Sequence, residues 1–298
     1  CMKRFHLVDE NSSVACIELL PEGVDPSNPE LKTVIYFLGN LNICYASLPV
    51  FLDDMKSVSS EGQPCRFVFW HYPGVLNSFG VPSKPADLVR CGLGVVEHVL
   101  DEGGKAENLI LKGHSLGGYV ATHVAYCCHH MKLWVKVWSD RSFSDSPAYM
   151  TACAVTCWDS GYRLRHYLLR IAVYATYPLM WLVTRLVRCE VPAFYFMTRL
   201  KQSCVDYIVV RSTPEVRAEG KVLDDVIVQD SASLDVNWWF RFCAWWRGDS
   251  DLQEHHYYTP TRLEEDAHQA PLKMLLPSFK KTKERAQRRF ARFVARRS

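Results

Sequence analysis

The sequence predicts an α/β protein built on a mostly parallel, doubly wound sheet, with a helical segment inserted late in the chain. Three observations predict it. Short β-branched and aromatic runs at 32–39 and 65–74 are nearly continuous in apolar character and end in Gly39-Asn40 and Pro73-Gly74, as strands buried on both faces do. Helix-period segments separate these runs from further strand-like runs near 108–112, 132–140 and 205–212. The chain has 298 residues, 48% of them hydrophobic, which suits one large core with an insertion.

In order along the chain, residues 5–9 and 14–20 alternate as a first hairpin, and the Pro- and Gly-containing stretch 21–30 is a loop. KTVIYFLG (32–39) is a buried strand. Residues 41–58 have helical spacing, and CRFVFWHYPG (65–74) is a second buried strand. Residues 85–104 form an amphipathic helix closed by Gly103 and Gly104. NLILKGHSLGGYVATHVAYCC (108–128) is strand, tight turn and helix, and 132–140 is another strand. Regularity then lapses into a long aromatic, helix-like stretch. It returns at 205–212, with a helix at 232–247, a last strand at 255–263 and a helix at 269–276. The expected organisation is a core in two parts, 1–140 and 204–279. A helical cap or lid at 141–203 interrupts it, and a basic tail at 280–298 follows.

Composition narrows the function classes. With 22% charged residues the chain is not disordered, and a net charge of +3 does not call for nucleic acid. Twelve scattered cysteines in a long chain are no disulfide framework, and the first thirty residues contain no apolar signal-peptide core. A reducing, cytoplasmic compartment is the expectation. Cys127-Cys128-His129-His130 looks metal-like in composition alone, since neighbours on a helix point about 100° apart and cannot close one tetrahedral site.

The chemistry-bearing motif is Gly113-His114-Ser115-Leu116-Gly117. G-x-S-x-G alone is weak, so its context decides. Here the apolar Leu109-Ile110-Leu111 precedes it and a helix-like YVATHVAY follows. A serine at the apex of a strand-to-helix turn has a strained backbone, and a Cβ at either flanking position would clash. Glycines at 113 and 117 remove that clash, and Gly118 allows close helix–sheet packing. The helix N-terminus then aims its dipole and N–H groups at developing oxyanion charge. His114 is expected to pack in the turn, facing away from the serine.

GHSLGG after LILK resembles the nucleophile elbow of the α/β-hydrolase superfamily, and the order of elements from KTVIYFLGN to HQAPL fits that fold over most of the chain. FWHYPGVLNSFG, GHSLGGYVA, WSDRSFSD and DDVIVQDSASL are also similar to an uncharacterised hydrolase family of chlamydiae and Legionella. This implies an enzyme-like fold in an intracellular pathogen, with a bacterial effector delivered into a host cell as one option.

The superfamily's chain order of serine, acid and histidine implies a triad. His268, in EEDAHQAPLKML, resembles the catalytic histidine, with His255 and His256 as competitors. Asp224 in KVLDDVIVQ takes the acid position. Asp225 is the neighbouring alternative, and Glu215 a third because it lies nearer the preceding strand. The oxyanion hole is expected from the backbone N–H of Leu116 and from the turn at Gly39, through Asn40 or Leu41. Leu38 stands where the superfamily often has histidine, which leaves that second donor open.

Arg170 and Arg185 flank a fourteen-residue apolar-rich stretch that Pro178 would kink, short of the ~20 residues that span a bilayer. The options for 163–187 are a cap over an acyl pocket, a membrane-interface helix or a spanning helix. NWWFRFCAWW (237–246) is expected to pack a helix on the sheet, with a membrane- or ligand-facing patch as the alternative. The run from Lys280 to Arg297 has Glu284 as its only acid. It is expected to be a solvated end, with attraction to an anionic membrane surface as the main rival; no nucleic-acid motif accompanies it. The reading is a serine hydrolase, carboxylesterase or lipase-like, acting on a small hydrophobic acyl substrate with no cofactor or metal. The alternative is an inactive hydrolase-fold binding or scaffolding protein, peripheral at a membrane.

Overall fold

In a computed structural model, the described residues are 2–9, 12–25, 28, 30–39, 44–60, 64–150, 163–208, 259–260, 275–276 and 285–295. Strands β1 (Met2–Asp9) and β2 (Ser12–Leu19) form the expected antiparallel hairpin. There follow β3 (Lys32–Phe37), α1 (Cys44–Ser60), β4 (Cys65–Trp70), α2 (Pro85–Asp101), β5 (Leu109–His114), α3 (Leu116–His130) and β6 (Lys136–Asp140). Then come α4 (Arg163–Leu186), α5 (Ala193–Met197), β7 (Val205–Ile208), β8 (Thr259–Pro260), β9 (Leu275–Leu276) and α6 (Arg285–Ala295).

Seven strands make one sheet in the order β1-β2-β4-β3-β5-β6-β7. The hairpin is antiparallel, β2 joins β4 antiparallel, and β4, β3, β5, β6 and β7 are all parallel. This strand order, with its antiparallel entry, is an α/β fold of the α/β-hydrolase type. The chain steps from β3 outward to β4, then crosses back over β3 to β5 and continues the other way. That reversal makes the carboxyl ends of β3 and β5 the topological switch point, the place where open sheets of this kind bind ligands.

Alternation along each strand splits the core in two. Ile35, Phe37, Val68, Trp70, Leu109 and Leu111 face α2 and α3. Val34, Tyr36, Phe67, Phe69, Ile110 and Trp138 face α1 and α6. All six β4 side chains are buried, which explains the continuous apolar run CRFVFW. Its one cation, Arg66, is paired with buried Glu18 at 2.9 Å and with Glu102. The start of α2 is set by Pro85 in its first turn and by Asp87, whose Oδ2 accepts the N–H groups of Ser83 and Lys84 at 2.9 and 3.1 Å. Gly103, with φ 94°, ends it.

Two expectations about the C-terminal region change. Residues 285–295 are not a solvated tail: Phe290, Ala291, Phe293 and Val294 are buried, and both phenylalanines pack on Trp138 with centroids 5.2 and 5.6 Å away. Arg289 clamps buried Asp206 with two bonds of 2.9 and 2.8 Å, so a basic side chain here fastens α6 to β7. On the same face, buried Lys112 pairs with Asp54 of α1 and lies 4.2 Å from the Phe290 ring centroid. The second change concerns the expected last strand and following helix. Thr259–Pro260 pairs with Leu275–Leu276 in a separate two-stranded ladder outside the main sheet. Leu276 precedes Pro277, and the proline ring disfavours helical backbone there. The expected helix at 232–247 lies outside the described residues.

Candidate functional site

β5 ends at His114 and α3 begins at Leu116, so a single residue makes the turn. Ser115 takes φ 54° and ψ −121°, a region that a side chain makes costly, by ~1–3 kcal/mol. The glycines show why the turn can form. A Cβ on Gly113 would lie 2.2 Å from the Gly117 carbonyl oxygen, and one on Gly117 would lie 2.0 Å from that of Phe37. A Cβ on Gly118 would meet Ser142 Cβ at 2.5 Å. Any side chain at these positions would push the helix off the sheet.

Neighbouring strands hold the turn. The Ser115 N–H donates to the Asp140 carbonyl at 3.1 Å, the Ser142 hydroxyl donates to the Ser115 carbonyl at 2.8 Å, and the Gly118 N–H donates to that same carbonyl at 3.0 Å. The Ser115 side chain makes no capping bond to α3, the usual occupation of a serine in that position. Its hydroxyl stands at the helix N-terminus, where free N–H groups and the dipole favour negative charge. Leu116, the first residue of α3, carries one of those N–H groups.

The Gly117 approach to Phe37 and Leu38 places the end of β3 directly beside the elbow. Tyr72, just past β4, fixes that end: its hydroxyl donates to the Leu38 carbonyl at 2.7 Å, and burial pushes its pKa up. On the other side, burial would raise the pKa of Asp140. Arg141 outweighs this by charge and by bonds of 2.6 and 3.0 Å, and with His114 and Lys112 it holds the carboxyl at about 2. The carboxylate is thus ionised and committed to Arg141. Beyond it, residues 141–148 are buried. Burial raises the pKa of Asp145, which accepts the Ala148 N–H at 2.7 Å and the Tyr177 hydroxyl at 3.2 Å. That last bond ties α4 to the loop after β6.

Of the sequence-derived candidates, Ser115 and Leu116 lie among the described residues, at the turn from β5 into α3. Asn40, Glu215, Asp224, Asp225, His255, His256 and His268 lie outside the described residues. β7 runs parallel to β6 and ends at Ile208, on the same carboxyl edge of the sheet as Ser115. Tyr72, Ser142 and the Asp140–Arg141 pair were not singled out from sequence; each lies at or within two residues of the carboxyl end of β4 or β6, which is the signal that could have marked them. Among the described residues, no three His, Cys, Asp or Glu side chains converge as metal ligands. A cleft of about 480 Å³ lies elsewhere, between the β1–β2 hairpin and α2, lined by Leu7, Val14, Cys91, Leu93, Gly94 and His98 among others.

No protein-family model matches the chain, and no curated protein matches it. Several solved structures are similar to it. Alpha/beta hydrolase domain-containing protein 10 from mouse is 17% identical over 52% of this chain and 54% of that one, with a TM-score of 0.35. An alpha-beta serine hydrolase homologue from Coxiella burnetii is 18% identical over 46% of this chain and 62% of that one, with a TM-score of 0.34. The chain thus spans less than two thirds of either protein. A proline iminopeptidase-related protein from Thermus thermophilus is 14% identical over 70% of this chain and 80% of that one, with a TM-score of 0.47.

Proposed function

We propose that this protein is a serine hydrolase that cleaves a hydrophobic acyl ester through a covalent acyl-enzyme. The observation that carries the reading is Ser115 itself: a non-glycine residue at φ 54° and ψ −121°, at a topological switch point, flanked by glycines that admit no Cβ. A fold that tolerates such strain at a serine, and leaves its hydroxyl out of helix capping, has a use for that hydroxyl.

In this reading His268 takes the Ser115 proton as Oγ attacks the ester carbonyl, and Asp224, with Asp225 as the alternative, orients the imidazole. The Leu116 N–H and a second donor from the Asn40 turn stabilise the oxyanion. The alkoxide leaves with the proton from His268. Water then attacks the acyl-enzyme with His268 again as base, releasing the acid and restoring Ser115. The segment 141–203, which leaves the sheet after β6 on the same edge, forms the cap that shapes the acyl site.

A panel of p-nitrophenyl esters of increasing acyl length tests the reading. The expected result is turnover by the wild type that depends on chain length and falls by roughly 10⁴-fold or more in Ser115→Ala. A folded wild type inert toward every ester would instead indicate a hydrolase-fold binding protein.

A further inference from the structure

Over residues 175–186, α4 carries its apolar residues on the wrong side for a helix of a water-bathed protein. Toward the rest of the molecule it turns buried Thr184 and the Tyr177 hydroxyl bonded to Asp145. Outward it shows Leu179, Leu182 and Leu186, 60%, 47% and 73% exposed, with Trp181 and, just beyond the helix, Val187 beside them. A surface helix normally has the reverse pattern, and a contiguous exposed patch of this kind marks a contact with something apolar.

We propose that this face of α4 docks on the surface of an anionic lipid bilayer, a property beyond the hydrolase reading and independent of turnover. The charge pattern selects the occupant. Over its 24 residues α4 contains Arg163, Arg165, Arg170 and Arg185 and no acid; Arg188 follows, then Glu190, which lies 3.9 Å from Arg185 and leaves the segment strongly cationic. Leucine and tryptophan flanked by arginine suit acyl chains below anionic headgroups. A second copy of the chain would bring two such cationic helices together and repel. No helix among the described residues is long and apolar enough to cross a membrane, so the contact lies along the interface.

Position supports the assignment. The Tyr177–Asp145 bond fixes α4 to the loop after β6, at the carboxyl edge of the sheet. On that edge the loop after β4 also exposes Leu76, Phe79 and Val81, by 54%, 70% and 92%. Two exposed apolar sets therefore share the edge that carries Ser115.

Flotation of the whole protein with vesicles tests this. The wild type should float with vesicles of phosphatidylcholine mixed with phosphatidylglycerol, and float less at high salt. Ser115→Ala should float equally, which separates docking from catalysis. The double variant Leu182→Glu with Leu186→Glu changes exposed positions only. Its thermal unfolding should match the wild type while its vesicle affinity falls roughly tenfold or more. A wild type that stays in the soluble fraction, equal recovery with pure phosphatidylcholine, or a folded double variant that still floats would each overturn the proposal. So would a wild-type dimer that the double variant converts to monomer without any vesicle binding, since the face would then join two copies.

Discussion

Substituting Gly117 by alanine puts the elbow to a quantitative test. The added methyl would lie 2.0 Å from the Phe37 carbonyl oxygen and 2.6 Å from that of Leu38. A carbon–oxygen contact needs ~3.3 Å, so α3 and the end of β3 must part by about 1 Å. Both obstacles are backbone atoms, and no rotamer change relieves them. Overpacking of a tight site costs ~1–3 kcal/mol, and two backbone clashes place this variant at about 3 kcal/mol. In a chain of this size that lowers the unfolding midpoint by ~5 °C. The movement also displaces the Leu116 N–H from the turn after β3, so kcat/KM toward a p-nitrophenyl ester should fall ~10²-fold. Gly94→Ala is the matched control. Gly94 is a helix glycine with nothing within 4 Å of its Cβ position, and alanine there should stabilise by ~0.5–1 kcal/mol. Thermal and urea unfolding of the two variants decide. A Gly117→Ala protein as stable and active as the wild type would refute the steric account.

Three further outcomes follow from particular contacts. Phe290→Ala should destabilise by ~3–5 kcal/mol in urea titrations, because its ring is fully buried against Trp138; a solvated tail would show no change. Tyr72→Phe leaves the Leu38 carbonyl without its 2.7 Å donor. It should cost ~1–3 kcal/mol and reduce kcat/KM about tenfold with little change in KM. Burial lowers the pKa of His123 from 6.5 to about 4, with its Nδ1 3.0 Å from the Tyr119 hydroxyl and its ring stacked on Phe196 at 3.8 Å. The folded state thus resists protonating this imidazole. Its contribution is fully present above pH 6.5 and is lost as pH falls toward 4. His123→Gln should flatten the loss of stability across that interval.

What could be read from the sequence was mainly local. CRFVFW declares a strand buried on both faces, and the glycines around Ser115 declare a turn whose steric demands act within five residues. What could not be read depends on distant partners. Tyr72 matters through Leu38, 34 residues away, and Ser142 through Ser115, 27 residues away. In α6 the helical spacing of Phe290, Phe293 and Val294 is visible in the sequence, but nothing local tells that the stripe packs on Trp138 or that Arg289 serves Asp206, 83 residues earlier. At 269–276 an apolar run resembled a helix, but Pro277 favours extended backbone at Leu276.

The most direct measurement is site mapping of a fluorophosphonate adduct by mass spectrometry on the folded protein. The account predicts one covalent adduct, on the peptide containing Ser115, absent from Ser115→Ala and strongly reduced in His268→Ala. A folded protein that acquires no adduct, or acquires it on another serine, would contradict it.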